Sequence, residues 1–328
     1  MIIDTPYYED MNRISNSNIG WYIKKGPKYL RDMLDGKAEG LSGSFLEKGT
    51  MIHMYILQPE EFWQNYTILD FEVPKSKQQI EFCKYYLDST EIEPNSKLIK
   101  AYKRAYANSK TDIQIIKDAQ SIIDSFTSYL DYLSVEREGT KKVISFYDLT
   151  VLKRIKENIV NHKKANWLLY EYPTSFECHN EFHINWEIHN DKIETDNKSL
   201  LDRVMFDHDN KKIIIVDLKT TADVYNFKHS VEEYDYYRQI AYYIAAVTWY
   251  MINELKLDPA EYELETYIIA IQNNGNNEVR VFDMKNEAEL LSSKNTIENI
   301  LTKITYHIKT GNWDHTLDYY IGDGTEYL

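Results

Sequence analysis

Cysteine is nearly absent. Cys83 and Cys178 stand far apart in a chain of 328 residues. That excludes a disulfide framework, a four-cysteine zinc site and a four-cysteine iron–sulfur cluster, and it fits a reducing intracellular compartment. No apolar run approaches the ~18 residues of a membrane span. The start, Met1-Ile2-Ile3-Asp4-Thr5, lacks the basic region and apolar core of a signal peptide, so a cytoplasmic location and no membrane partner are expected. There is no G-x-x-x-x-G-K-[ST] loop, hence no ATP cofactor of the motor type. Basic charge is also short. The 38 Lys and Arg face 52 Asp and Glu, a net charge of −14. This argues against coating nucleic acid by bulk charge, though a local basic track needs only a few residues.

What is present describes a folded chain. Hydrophobic residues make up 43% and aromatics 14%, including 28 Tyr, enough for one large domain or two small ones. Residues 10–34 read as helical, with Ser15 and Ser17 as candidate caps and an interruption at Gly26-Pro27. A glycine-containing loop (36–43) leads to a second helix at about 45–58, which Pro59 stops. Residues 75–170 carry helical periodicity, as in Ile80/Cys83/Leu87 and Ile115/Ile116/Ala119/Ile122/Ile123. Near residue 178 the pattern changes. Phe182, Ile184, Trp186 and Ile188 alternate as in a strand, 200–206 is a second strand, 207–210 a turn, and Ile213–Val216 a buried strand. A helix at 234–253, strands at 263–272 and 278–284, and a helix at 287–310 complete the chain. The expected layout is one α/β unit over 1–328: N-terminal helices (1–66), a helical insertion or support region (75–170), and an α/β core (178–310).

The segment from Ser199 to Thr221 carries the chemistry. With 207–210 as a four-residue loop, 206 pairs with 211 and Asp202 lies opposite Ile215. Residues 215, 217 and 219 then share a face with 202, so Asp202 and Asp217 are diagonal neighbours with Lys219 two residues beyond. A one-residue slip would separate them. Two converging carboxylates can hold Mg²⁺, which takes few protein carboxylates and keeps water and phosphate oxygens. A lysine at the same edge can orient water or stabilise developing charge. Arg203 is expected to support Asp202. Gln239 and Tyr243, four apart, are neighbours on a helix face, and His53 lies on a helix after Lys48-Gly49-Thr50. His179, His183 and His189 do not share a strand face and are not read as a zinc site. Lys24, Lys25, Lys28, Lys163 and Lys164 read chiefly as solvated faces.

This combination resembles the PD-(D/E)XK nuclease superfamily, and within it the RecE/RecB-like exonuclease branch. Ile14-Ser15-Asn16-Ser17 and Gly26-Pro27-Lys28-Tyr29 look like its N-terminal helix pair. Gly49-Thr50-x-x-His53 with Leu57-x-Pro59-Glu60-x-Phe62 looks like its histidine motif, and 181–221 with 236–243 like its metal and Gln-x-x-x-Tyr motifs. The insertion at about 75–140 is not covered. The resemblance implies a restriction-endonuclease-like core of a mixed central sheet flanked by helices. It implies Asp202 and Asp217 as metal carboxylates, Lys219 as the catalytic lysine, His53 and the Leu218 carbonyl as further ligands, and Glu181 as a secondary acidic candidate. Gln239 and Tyr243 would take part in catalysis by positioning the DNA end or its phosphate near the metals; Arg238, read from its own position, is expected either to contact phosphate or to form a salt bridge. The implied activity is an exonuclease using one or two Mg²⁺ ions, with Mn²⁺ as substitute. It would act 5′→3′ on double-stranded DNA ends and leave a 3′ strand for an annealing protein. The implied setting is a ring-shaped homo-oligomer in a bacteriophage, prophage or bacterial cytoplasm. A structure-specific or single-strand endonuclease, or an inactive DNA-binding module on the same fold, would carry much the same motifs.

Overall fold

The computed structural model describes residues 6–38, 44–106 and 109–326. Part of the expected 36–43 loop lies outside them. The chain forms two compact units, one of residues 1–53 with 155–328 and one of residues 54–154. No helix among the described residues is long and apolar enough to cross a membrane.

The first unit is built on a five-stranded sheet in the order β3-β4-β5-β6-β7. Its strands are β3 (Phe176–His189), β4 (Glu194–Asp207), β5 (Lys212–Thr221), β6 (Glu263–Gln272) and β7 (Val279–Asp283). Only β5 and β6 run parallel, and the other neighbours are antiparallel. Helices α10 (Phe227–Glu233) and α11 (Tyr236–Tyr250) form the crossover between the parallel pair, as such a connection requires. Residues 213–218 are buried without a break, which is why that strand reads as a continuous apolar run rather than an alternation. Helices α1 (Asn16–Leu34), α11 and α12 (Glu287–Thr310) share one core with the sheet, around Ile19, Leu30, Leu201, Phe206, Ile215, Tyr242 and Leu301. The architecture is thus the expected α/β one, a mixed sheet with flanking helices that follows a largely helical N-terminal half in the chain.

Local chemistry sets the element ends. Ser15 caps α1 through a reciprocal box with Asn18. Gly26, at φ 80°, kinks that helix ahead of Pro27, because only glycine takes that angle without strain. Pro59 both ends α2 (Ser44–Leu57) and opens α3 (Pro59–Asn65), where its missing N–H costs nothing.

The second unit holds α3, strand β1 (Tyr66–Ile68), α4 (Lys77–Asp88), α5 (Pro94–Ala105), α6 (Asp112–Ser125), α7 (Thr127–Glu138) and strand β2 (Lys142–Ile144). It also takes the start of α8 (Phe146–Asn161), while α9 (Lys163–Leu169) belongs to the first unit. The strands β1 and β2 pair in parallel. The helices enclose Phe82, Cys83, Leu98, Tyr102, Ile115, Ala119 and Leu133. Burial pushes the Cys83 thiol up to about 11, as in an inert core thiol.

A candidate metal-binding active site

The β4–β5 hairpin pairs Asp207 with Lys212 and Arg203 with Val216. The register is therefore two residues from the expected one, and the loop is 208–211 rather than 207–210. Asp207 stays in the strand because its side chain closes the loop, accepting from Asn210 N at 3.0 Å and Nδ2 at 2.8 Å. Lys211 absorbs the turn at φ 53°. A two-residue shift preserves the faces. It moves Asp202 from a diagonal position to one directly across from Asp217.

The site forms where the sheet comes apart. Pairing between β4 and β5 ends at Arg203–Val216. Leu218, two residues on, still pairs with Ile269 on β6 but has no partner on β4. Its N–H donates to Asp202 Oδ2 at 2.6 Å, and its carbonyl is within hydrogen-bonding reach of the His53 imidazole. On the other side of β4, Glu181 stands at φ 48° between the pairs Asn180–Arg203 and Phe182–Leu201. A non-glycine residue in that region inside a strand is uncommon, and such residues concentrate at functional positions. The edge of β4 that β5 leaves is taken by the N-terminal chain. Ile14 bridges to Asn197, with Ile14 N–H to the Asp196 carbonyl at 2.9 Å and Lys198 N–H to the Ile14 carbonyl at 2.8 Å.

Three ligand atoms converge in this gap. One atom each from His53, Glu181 and Asp202 lie within 4.8 Å of one another, and His53 Nδ1 is 3.6 Å from Asp202 Oδ2. His53 reaches the sheet because Gly49, one turn earlier on α2, permits a close approach. A Cβ there would sit 3.3 Å from Thr220 Oγ1 at the end of β5. Beside this trio, Asp217 Oδ2 pairs with Lys219 Nζ at 2.5 Å, and Asp217 Oδ1 accepts from Gln239 Nε2 at 3.3 Å. Gln239 also donates to the Tyr243 hydroxyl at 2.7 Å.

The electrostatics follow from burial. Asp217 is 1% exposed. Desolvation, added to by Asp202, lifts it to about 6 although Lys219 opposes. Asp202 is raised for the same reason. Burial alone would lower Lys219, but Asp217 and Asp202 outweigh it and hold the ammonium above its ordinary value. Desolvation and then Lys219 push His53 down to about 4, so it is a neutral imidazole near pH 7, the form that ligates metal. Two desolvated carboxylates, a third carboxylate, a neutral imidazole and a strand carbonyl make a donor set that a divalent cation would satisfy.

Of the expected residues, His53, Glu181, Asp202, Asp217, Leu218, Lys219 and Gln239 come together, with Glu181 in the closest trio rather than at its margin. Tyr243 stands beside them, 7% exposed, with its hydroxyl on Gln239 and its phenol raised by burial and by Asp217 and Asp202. Two others lie elsewhere. Arg238 is 5% exposed, with Nε on Asp235 Oδ2 at 2.8 Å and Nη1 on the Asn16 carbonyl at 2.8 Å. That guanidinium is an internal clamp, not a phosphate contact. Arg203 does not support Asp202. Alternation puts it on the opposite face, donating to Asn180 Oδ1 at 2.7 Å and lying over the Tyr172 ring. Sequence reading missed Tyr8. It is an exposed ring whose phenol is raised by partial desolvation and by the charges of Glu181 and Asp202, in a segment that Lys198 holds through the Tyr7 and Asp10 carbonyls at 2.6 and 2.5 Å. A second group, Glu187, His189 and Asp196, is exposed, with His189 Nε2 3.3 Å from Asp196 Oδ1.

No family model matches the chain, and no curated protein matches it. Among solved structures, one from Eubacterium rectale described as a "Putative exonuclease" aligns over 100% of this chain and 95% of its own, with a TM-score of 0.49 and 13% identity. Another, of SSO0001, aligns over 78% of this chain and 98% of its own, with a TM-score of 0.26 and 9% identity. At those values the functional reading rests on the side-chain geometry.

Proposed function

We infer that this protein is a metal-dependent DNA nuclease of the PD-(D/E)XK type, acting as an exonuclease on double-stranded ends. The observation that carries this reading is the convergence of Asp202, Asp217 and Lys219 with His53 and Glu181 where β4 leaves β5. His53, Glu181, Asp202, Asp217 and the Leu218 carbonyl would hold Mg²⁺ or Mn²⁺. A divalent ion there supplies Lewis-acid polarisation of a phosphoryl oxygen and acidifies water. The chain's own residues do the rest. Lys219, already charged and anchored on Asp217, orients the attacking water and offsets charge on the phosphate. Gln239 fixes the Asp217 carboxylate, and Tyr243 fixes Gln239. The 5′→3′ direction, a 3′ strand handed to an annealing protein, and a ring with a basic lumen follow from the RecE-like resemblance. An acidic exterior is compatible with such a ring.

The test is Mg²⁺-dependent nucleotide release from linear duplex DNA labelled at the 5′ or the 3′ end, with closed circular and single-stranded DNA beside it. Loss of label from linear DNA alone, abolished in Asp217→Ala and Lys219→Ala, supports the exonuclease and gives its direction. Cleavage of the circle favours an endonuclease, and no cleavage of any substrate favours a binding module.

A further inference from the structure

One chain of aromatic contacts leads from Lys219 to the surface of the first unit. Lys219 Nζ lies 5.1 Å from the centroid of the Tyr236 ring. Tyr236 stacks on Tyr234, with centroids 5.9 Å apart and planes 28° from parallel. Lys24 Nζ sits 5.8 Å from the Tyr234 centroid and 3.5 Å from the Glu233 carbonyl. Tyr236 is backed by Phe227 at 5.8 Å, itself stacked on Phe282 at 5.0 Å. Phe227 is 1% exposed and Tyr234 52%. The row therefore has a buried foundation, an open outer face, a cation at its outer end and the site's lysine at its inner end.

The arrangement is imposed by the backbone. Asp235, between the two tyrosines, is left-handed at φ 54° and ψ 54°, a conformation that aspartate tolerates and most residues avoid. Arg238 holds it there through the Asp235 carboxylate while gripping Asn16. Gly20 gives the guanidinium room, since a Cβ there would come within 3.1 Å of Nη2. The Arg238 clamp thus sets the two rings rather than the carboxylates. Tyr225, another exposed ring, spends its hydroxyl on Glu278.

We propose that the Tyr234–Tyr236 pair is the platform on which an unpaired base of the strand being cleaved stacks, with Lys24 beside its phosphate. Every base has a π-face, so such a platform is tolerant of sequence, and a flanking cation suits the backbone. The assignment rests on the nuclease reading and adds the route by which the strand reaches Lys219.

The experiment is titration of the wild-type chain in EDTA with a single-stranded oligonucleotide carrying 2-aminopurine, alongside the cleavage assay above. Binding should quench the fluorescence. Tyr234→Ala should bind about tenfold more weakly and lose the quenching, while Tyr234→Phe should keep both. Lys24→Ala should keep the quenching and reduce the salt slope by about 0.7. Unchanged affinity and quenching in Tyr234→Ala, or no quenching by wild type, overturns the platform even if the chain cleaves DNA. Tyr234-dependent quenching without any cleavage supports the platform as a single-strand surface and overturns the nuclease reading.

Discussion

Around Phe82, Leu98, Tyr102 and Ile115 the second unit buries carbon and rings, and no Asp, Lys, Arg, His, Asn, Ser or Thr side chain of its described residues is fully buried. The first unit also has an apolar core, but it additionally buries Asp217, Lys198, Arg203, Arg238 and His307. Buried polar groups cost free energy unless each finds a partner. Most here have one: Lys198 on two carbonyls, Arg238 on Asp235 and Asn16, His307 between Tyr22 and Asn312. Asp217 differs, because its pKa stays high even with Lys219 against it. The contrast separates polar groups that hold the fold from a cluster left short of positive charge.

That contrast can be attacked at both ends. The largest effect is expected at Lys219. Lys219→Ala should lower kcat by about 10²–10⁴-fold, the usual worth of a positioned proton-transfer group; retention of activity within a factor of ten would remove Lys219 from the chemistry. Next, Phe82→Ala should cost about 3–5 kcal/mol of unfolding free energy in denaturant titrations. Amide exchange should quicken mostly in residues 54–154, and equal loss in β4–β6 would mean the two cores are not separable. Gly49→Ala gains about 1 kcal/mol in helix propensity yet crowds Thr220. Calorimetry with Mn²⁺ should show affinity about tenfold weaker, as for a residue that orients a ligand. Unchanged affinity would mean His53 does not depend on that approach.

The smallest effect is expected at His307. Its Nδ1 must donate to the Asn312 carbonyl at 2.5 Å, so Nε2 accepts from the Tyr22 hydroxyl at 3.0 Å. Burial lowers its pKa from 6.5. The unfolded chain therefore takes up the proton first. The stabilisation is complete above about 6.5 and is lost as pH falls towards the lower folded value. Wild type should lose more stability than His307→Gln between neutral and mildly acidic pH, read from paired thermal melts. Parallel curves would show that the proton binds folded and unfolded chains alike.

Much of this was legible because it depends on local patterns. The alternation at Phe182–Ile188 and the apolar run at Ile213–Val216 sit in strands, and the parity that pairs Asp202 with Asp217 survived a register shift because a shift of two preserves it. What stayed hidden depends on long-range placement. Three-residue strands such as Tyr66–Ile68 carry no period, and α10 is seven residues long. Arg203 was misjudged because adjacency in sequence means opposite faces in a strand. Tyr8 comes under the influence of Glu181 and Asp202 in a segment that Lys198, some 190 residues on, holds. For Arg238 the sequence leaves phosphate contact and salt bridge open, and only the folded positions of Asp235 and Asn16 decide for the second.

The N-terminal chain has a consequence for synthesis. Ile14 receives the Tyr242 hydroxyl across 228 residues, Asn16 the Arg238 guanidinium across 222, and Tyr22 meets His307 across 285. As the chain emerges from a ribosome, helix α1 cannot complete its docking until residues more than two hundred positions further on have been made. Contacts of such span form slowly. A product ended between Asp217 and Arg238 would carry His53 and both aspartates without the α11 side chains that hold the N-terminal segment in place.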